Sequence, residues 1–437
     1  MKKIDHIPTR KIERVAKLVT TGVKVGGNYL KYYGEKVVNP NLTKDKLHES
    51  NATDIYDGLK ELKGSALKVA QMLSMEKNIL PKSYVEKFSL SQFSVPPLSA
   101  PLVRKSFKSY FKKYPEELFD SFSPDSINAA SIGQVHQATK NGKMLAVKIQ
   151  YPGVRDSIKS DIAMVKPIAI RMFNLQGTSD DYFDEVEGKL TEETDYVLEL
   201  QQSETIRIAC EKLENLIFPK YYADLSCEKI ITMDWMTGIH WSEFCETAPS
   251  QDLRNKVGQT LWDFYMYQIH ELKKFHADPH PGNFLVNDNG QLIAIDFGCM
   301  KEIPEDFYKP YFEVSSPESL ANSAYFQSKL FELDILKAED SKEEIKYFSD
   351  LFHELLSVFT QPINQETFDF SDSTFFGQIA ALSEKFSNDK TLRKMNGNRG
   401  SKHFIYVNRT FFGLYNLMFD IKATIKVNDF ERYLTPR

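Results

Sequence analysis

The sequence predicts an α+β chain in two lobes, with a helical extension ahead of the first and a helical end to the second. Two observations predict it. Apolar spacing is helical up to about residue 120, then turns to short alternating runs between Ile127 and Gln150, as strands require. After Trp235 short strand-like pieces at 284–286 and 292–295 are embedded in long helical stretches. Length, 437 residues, suits a few domain-sized units. We expect an extension over 1–120, a first lobe over 121–237 and a second over 238–437.

The elements follow in order. Residues 1–40 carry nine Lys/Arg against three acids, a local charge of 9 − 3 = +6, with Ile12, Val15, Leu18, Val19 and Val23 at helical spacing. A basic amphipathic helix lying on an anionic membrane surface has this pattern, and so does an ordinary solvated helix packed on the body. Gly22, Gly26 and Gly27 argue against one long helix. Residues 51–92 read as helix, 94–99 (Ser-Val-Pro-Pro-Leu-Ser) as a break, and 100–120 as a further helix. Asn141-Gly142 between two alternating runs signals a two-residue hairpin. Helix returns over 155–210, strands over 217–235, and helix over 250–275 and from about 305 onward.

Composition narrows the function classes. The chain is 42% hydrophobic and 26% charged with net charge −5, which gives no overall electrostatic case for nucleic-acid binding. Four cysteines without a CxxC pair argue against a zinc site or a disulfide framework and fit a reducing compartment. No apolar run approaches the roughly 20 residues of a spanning helix; the best candidate, 410–421, carries Asn416 and Asp420. The N-terminus lacks the apolar stretch of a secretory signal. The expectation is a cytoplasmic protein whose basic N-terminus permits peripheral contact with a membrane.

Three motifs carry chemistry. Ala146-Val147-Lys148-Ile149 puts a lysine into a buried strand, which is costly unless its charge is matched. Asp278-Pro279-His280-Pro281-Gly282-Asn283 is followed, 13 residues after Asn283, by Asp296-Phe297-Gly298. Magnesium takes hard oxygen ligands, so Asp296 and the amide oxygen of Asn283 suit it. Asp278 is placed to orient or deprotonate a hydroxyl. Lysine, Asp-x4-Asn and Asp-Phe-Gly in this order form the protein-kinase signature set, which implies a two-lobed kinase-like fold binding ATP with Mg²⁺.

Further stretches make the chain resemble the UbiB-type atypical kinase-like family, linked to isoprenoid-quinone biology. Residues 128–136 (Asn-Ala-Ala-Ser-Ile-Gly-Gln-Val-His) match its alanine-rich nucleotide loop, 193–199 its Glu-x-Asp element and following glutamate, 68–71 its Lys-x-Gly-Gln motif, and 276–283 its catalytic loop. The resemblance covers roughly 55–425. It implies that Glu199 pairs with Lys148, and that Ala129, Ala130, Ser131, Gly133 and Gln134 cover the nucleotide. It also implies that Glu193 and Asp195 lie near the metal-phosphate region or contact the helix of Lys68 and Gln71, which folds over the site. Met233–Gly238 resembles the inter-lobe hinge, with Asp234 and Met236 beside adenine. Ala70 stands where the family has glycine. In the loop alanines disfavour φ > 0, leaving Gly133 as the permissive hinge. Ile303-Pro304-Glu305 arrives too soon after Asp296 to close an activation loop, which disfavours a peptide substrate.

The expected function is therefore an ATPase or a small-molecule or lipid kinase with an unknown acceptor. The alternative is a nucleotide-binding regulatory scaffold with little turnover.

Overall fold

In a computed structural model, residues 11–39, 43–62, 65–69, 83–84, 87, 97–129, 132–173, 179–389 and 399–433 are described. The chain divides into two compact units. One comprises residues 1–200 and 220–235, the other 201–219 and 236–437.

The first unit opens with helix α1 (Lys11–Val38), which pairs with α2 (Asp45–Leu62). The expected interruption at Gly22, Gly26 and Gly27 does not occur. Each glycine costs about 1 kcal/mol of helix propensity, but Thr21 and Tyr32 are buried and Asn28 donates to Asn51 and Asp54 at 3.1 and 2.7 Å. Packing of one face overrides propensity. A helical stretch at 65–69 follows, then α3 (Ala100–Phe111).

The sheet of this unit joins β1 (Ser121–Phe122), β2 (Asn128–Ala129), β3 (Gly133–Lys140), β4 (Lys143–Gln150) and β6 (Ile230–Asp234), with β3 and β4 at its centre. Asn141 and Gly142 have φ of 51° and 74°, the two-residue turn that their sequence predicts. β4 is paired on both sides, to β3 and to β6. Its Leu145, Val147 and Ile149 are buried, so its opposite side chains, Ala146, Lys148 and Gln150, share the other face. Helices α4 (Val154–Phe173) and α5 (Ser179–Glu193) follow, and then α6 (Tyr196–Ala209), whose residues from 201 onward belong to the second unit.

The second unit is built around α7 (Gln251–Tyr267), whose Leu261, Trp262, Phe264, Tyr265 and Met266 are fully buried. A small sheet runs β5 (Leu216–Ile217), β10 (Leu292–Ala294), β9 (Phe284–Val286), β7 (Ile239–His240). A two-stranded ladder joins β8 (Lys274–His276) to β11 (Met300–Glu302). Helix α8 (Glu305–Val314) begins nine residues after Asp296, with Pro304 as its N-cap; the short interval read from Ile303-Pro304-Glu305 is filled by β11 and this cap. The rest is helical, including α9 (Lys342–Phe359) and α10 (Lys402–Ile421). A ladder of Thr367–Asp369 with Thr424–Lys426 is an addition to the expected all-helical end; three-residue strands leave too little alternation to read.

Candidate nucleotide and metal site

In the first unit the chemistry begins with Lys148. Its ammonium donates to both carboxylate oxygens of Glu199, at 2.8 and 3.0 Å. Glu199 is 2% exposed and Lys148 19%, so the pair is largely dehydrated and each charge depends on the other. The Tyr196 ring lies 5.1 Å beneath the ammonium, a cation–π contact that favours the charged form.

The helix bearing Glu199 is fixed at its start. Asp195 accepts the Leu198 amide through its side chain and the Glu199 amide through its carbonyl, at 3.1 and 2.9 Å. That is N-cap geometry. Its carboxylate also meets Arg155 at 3.3 Å. Asp195 thus acts as a positioning residue for Glu199. On the Lys148 face of β4, Gln150 donates to the Thr194 carbonyl at 2.9 Å. One strand face therefore holds both the Lys148–Glu199 pair and the turn between α5 and α6.

Glu193 closes α5 and forms an ion pair with Lys68 at 3.1 Å. This is the contact implied between the Glu-x-Asp element and the early helix. The 65–69 stretch is anchored a second time: Ser65 donates to Asp161, which is fully buried and also accepts from Ser157 at 3.0 Å. Gln71, Ala130 and Ser131, named with this site, lie outside the described residues.

Two expectations change. Gln134 is buried, and its amide oxygen accepts from Leu98 N at 2.6 Å while its nitrogen meets His136 at 2.7 Å. Its side chain braces the fold and is not presented to a ligand. Gly133 does not have positive φ. A Cβ there would stand 2.7 Å from the Ile149 carbonyl, so the position requires glycine for close strand approach and not as a hinge. Ala129 is paired into β2 opposite Gln134. Asp234 ends β6 with its amide on Lys220 O and its carboxylate on Lys220 N and Tyr222 Oη, at 2.9, 3.2 and 2.7 Å. Met236 follows two residues later, outside any helix or strand.

In the second unit the hairpin β9–β10 carries the two candidate metal ligands. Its register pairs Phe284 with Ala294. The Ile295 amide donates to Asn283 O at 3.1 Å. Asn283 and Asp296 therefore leave the same end of one hairpin. Asn283 Nδ2 donates to the Asp278 carbonyl at 2.9 Å, which makes its amide oxygen the candidate ligand atom. Asp296 accepts the Gly298 amide at 2.9 Å. Among the described residues no three His, Cys, Asp or Glu side chains gather as a self-sufficient metal site. Magnesium does not need one: one or two protein oxygens, water and substrate phosphates complete its shell. The Asp296 and Asn283 oxygens fit that ion.

The loop bearing Asp278 hangs from β8. His276 is buried; its amide donates to Gln268 Oε1 at 3.0 Å, and its Nδ1 lies 3.3 Å from Tyr265 Oη. Burial, with the nearby Asp278 charge, pushes the Tyr265 phenol well up, so it stays a neutral hydrogen-bonding post. Phe297 is buried among Phe218, Phe264 and His276, with ring centroids 5.7–6.3 Å apart. That anchors the residue next to Asp296.

Three contributors were not foreseen. Gln150 was legible, two residues from Lys148 on a strand. Arg155 carries no distinguishing signal in the sequence. Gly413 on α10 lets Pro279 of the Asp278 loop approach: an added Cβ would stand 2.5 Å from Pro279 Cγ. Its only signal is a glycine inside an apolar helix.

The sequence profile of the ABC1 atypical kinase-like domain matches residues 90–320. The chloroplastic ACTIVITY OF BC1 COMPLEX KINASE 8 of Arabidopsis thaliana is 32% identical over 246 residues, 54% of this chain and 32% of that protein. The mitochondrial atypical kinase COQ8B of Danio rerio is 27% identical over 342 residues, 77% of this chain and 54% of that protein. The chain thus spans about a third to about half of these relatives. The Rv3197–erythromycin complex from Mycobacterium tuberculosis has the same fold, with TM-score 0.61 at 24% identity, covering 90% of this chain and 97% of that one.

Proposed function

The chain belongs to the ABC1 atypical kinase-like family, and from that membership we propose that it binds Mg-ATP and uses it for phosphoryl transfer or hydrolysis in a small-molecule or lipid-linked process. The resemblance to UbiB-type proteins favours an isoprenoid-quinone process. The observation that carries the reading is the buried Lys148–Glu199 pair, bidentate at 2.8 and 3.0 Å.

Each residue has a role that its environment supports. Glu199 holds the Lys148 ammonium on a fixed strand, where it meets the α/β-phosphates. Asp296 and the Asn283 amide oxygen hold the divalent cation, which neutralises charge on the phosphate oxygens. Asp278, tied to Asn283 by one hydrogen bond, orients the attacking hydroxyl or water and accepts its proton. Lys68, paired with Glu193, adds a second cation to the phosphate region.

Steady-state ATP turnover of the wild type and Asp278→Asn tests this. We expect turnover in the wild type and a loss of a hundredfold or more in the variant, with Mg-ATP binding kept. Binding without turnover in both would leave a nucleotide-dependent scaffold and reject the enzymatic reading.

A further inference from the structure

Among the described residues, α1 is exceptional in what it exposes. Val19, Val23, Leu30 and Tyr33 are 60, 70, 77 and 56% exposed. At 100° per residue they fall within about 80° of one another. They form a single apolar stripe about 20 Å long. An ideal Cβ at Gly22, Gly26, Gly27 or Gly34 would meet nothing within 4 Å. The side of the helix that packs on α2 is a different one. It carries Thr21, Asn28 and Tyr32, with Asn28 bonded to Asn51 and Asp54. The stripe is thus held turned away from the unit's own core.

The charge around the stripe is one-sided. Lys24 and Lys31 are exposed along one flank. Residues 1–40 sum to +6, and the whole chain to −5, so residues 41–437 sum to −5 − 6 = −11. The apolar stripe therefore sits in a basic segment of an acidic protein. Two copies joined stripe to stripe would set +6 against +6. An anionic bilayer offers both the apolar depth and the opposite charge, and lysines beside an apolar stripe suit its headgroup level. No helix among the described residues is long and apolar enough to cross a membrane, so this contact lies in the interface plane.

We propose that α1 is an interfacial docking helix that seats Val19, Val23, Leu30 and Tyr33 in the surface of an anionic lipid bilayer, with Lys24 and Lys31 on the headgroups. The attraction has two parts with different signatures. The apolar part survives salt. The charge part is screened over about 10 Å at 0.1 M ionic strength and is worth about fivefold per lysine at low salt.

Co-sedimentation of the full chain with vesicles tests this, using neutral phosphatidylcholine alone and the same lipid with 30% phosphatidylglycerol. We expect binding to the anionic vesicles that weakens with salt. Val23→Glu/Leu30→Glu abolishes it, and Lys24→Glu/Lys31→Glu lowers it by more than tenfold. The substituted positions are exposed, so both variants keep the wild-type melting temperature. Three results overturn the proposal: no wild-type binding to anionic vesicles, equal binding to neutral ones, or unchanged binding by Val23→Glu/Leu30→Glu. A concentration-dependent dimer that this variant dissolves, with no vesicle binding, would instead make the stripe an interface between copies.

Discussion

Lys148 and Glu199 form a bidentate pair in a largely dehydrated place. Removing the cation alone leaves a carboxylate that is 2% exposed without its partner, a loss of about 3 kcal/mol. Lys148→Met is therefore expected to melt clearly below the wild type. In Lys148→Met/Glu199→Leu both charges go, and much of the stability returns while Mg-ATP binding does not. Thermal unfolding with and without nucleotide separates the two effects. A double variant as unstable as the single one would show that the pair is not the source of the loss. Asp263 on α7 gives a pH signature. Burial pushes its carboxyl up to about 6, against the hydrogen bond from Gln259 and the Arg432 charge. The native state then binds a proton more tightly than the unfolded chain. Stability from this group is present below about pH 4 and is lost as pH rises through about 6. Asp263→Asn should lack that slope, which melting curves of both proteins between pH 4 and 7 would show.

At the scale of elements, the early helical stretch is tied at two places: to the end of α5 by Lys68 with Glu193, and to α4 by Ser65 with Asp161, which also accepts from Ser157. Asp161→Ala removes the buried carboxylate on which both hydroxyls converge, at a cost of about 1–3 kcal/mol. We expect faster amide exchange over 65–69 and unchanged exchange in the 284–294 hairpin. Equal change in both would mean that the whole chain had loosened.

The same elements explain what was legible in the sequence. Asn141-Gly142 announces its turn because few residues tolerate φ of 51° and 74°. The order Lys148, Asp278, Asn283, Asp296 announced the family, because the four residue types in that sequence match the kinase signature set. Glu193 and Asp195, two apart, gave no face to read, because α5 ends at Glu193 and α6 begins at Tyr196. Two short helices with a capping break look like one helix to a periodicity argument. Gln134 looked like part of a nucleotide loop because its partner, the Leu98 amide, is 36 residues away. Gly133 was read as a hinge because sequence reveals a missing side chain but not the carbonyl that fills its space.

At the scale of the whole molecule, each of the two units carries its own part of the candidate site. The first has a strand that fixes a cation on a buried acid. The second has a hairpin that sends an amide oxygen and a carboxylate out from one end. Their residue types match what Mg-ATP requires: fixed positive charge for phosphates and hard oxygen for the metal. The brevity of 297–304 before α8 leaves no length for a peptide-docking activation segment, which directs attention to small or lipid-linked acceptors.

The central claim is that this chain holds Mg-ATP through these residues. Isothermal titration calorimetry with ATP, in magnesium and in EDTA, tests it most directly on the wild type, Asn283→Ala and Asp296→Asn. The account predicts one site in the wild type, at least tenfold weaker in EDTA, and little magnesium dependence left in Asp296→Asn. Binding of equal strength in all three proteins, with or without magnesium, would contradict it.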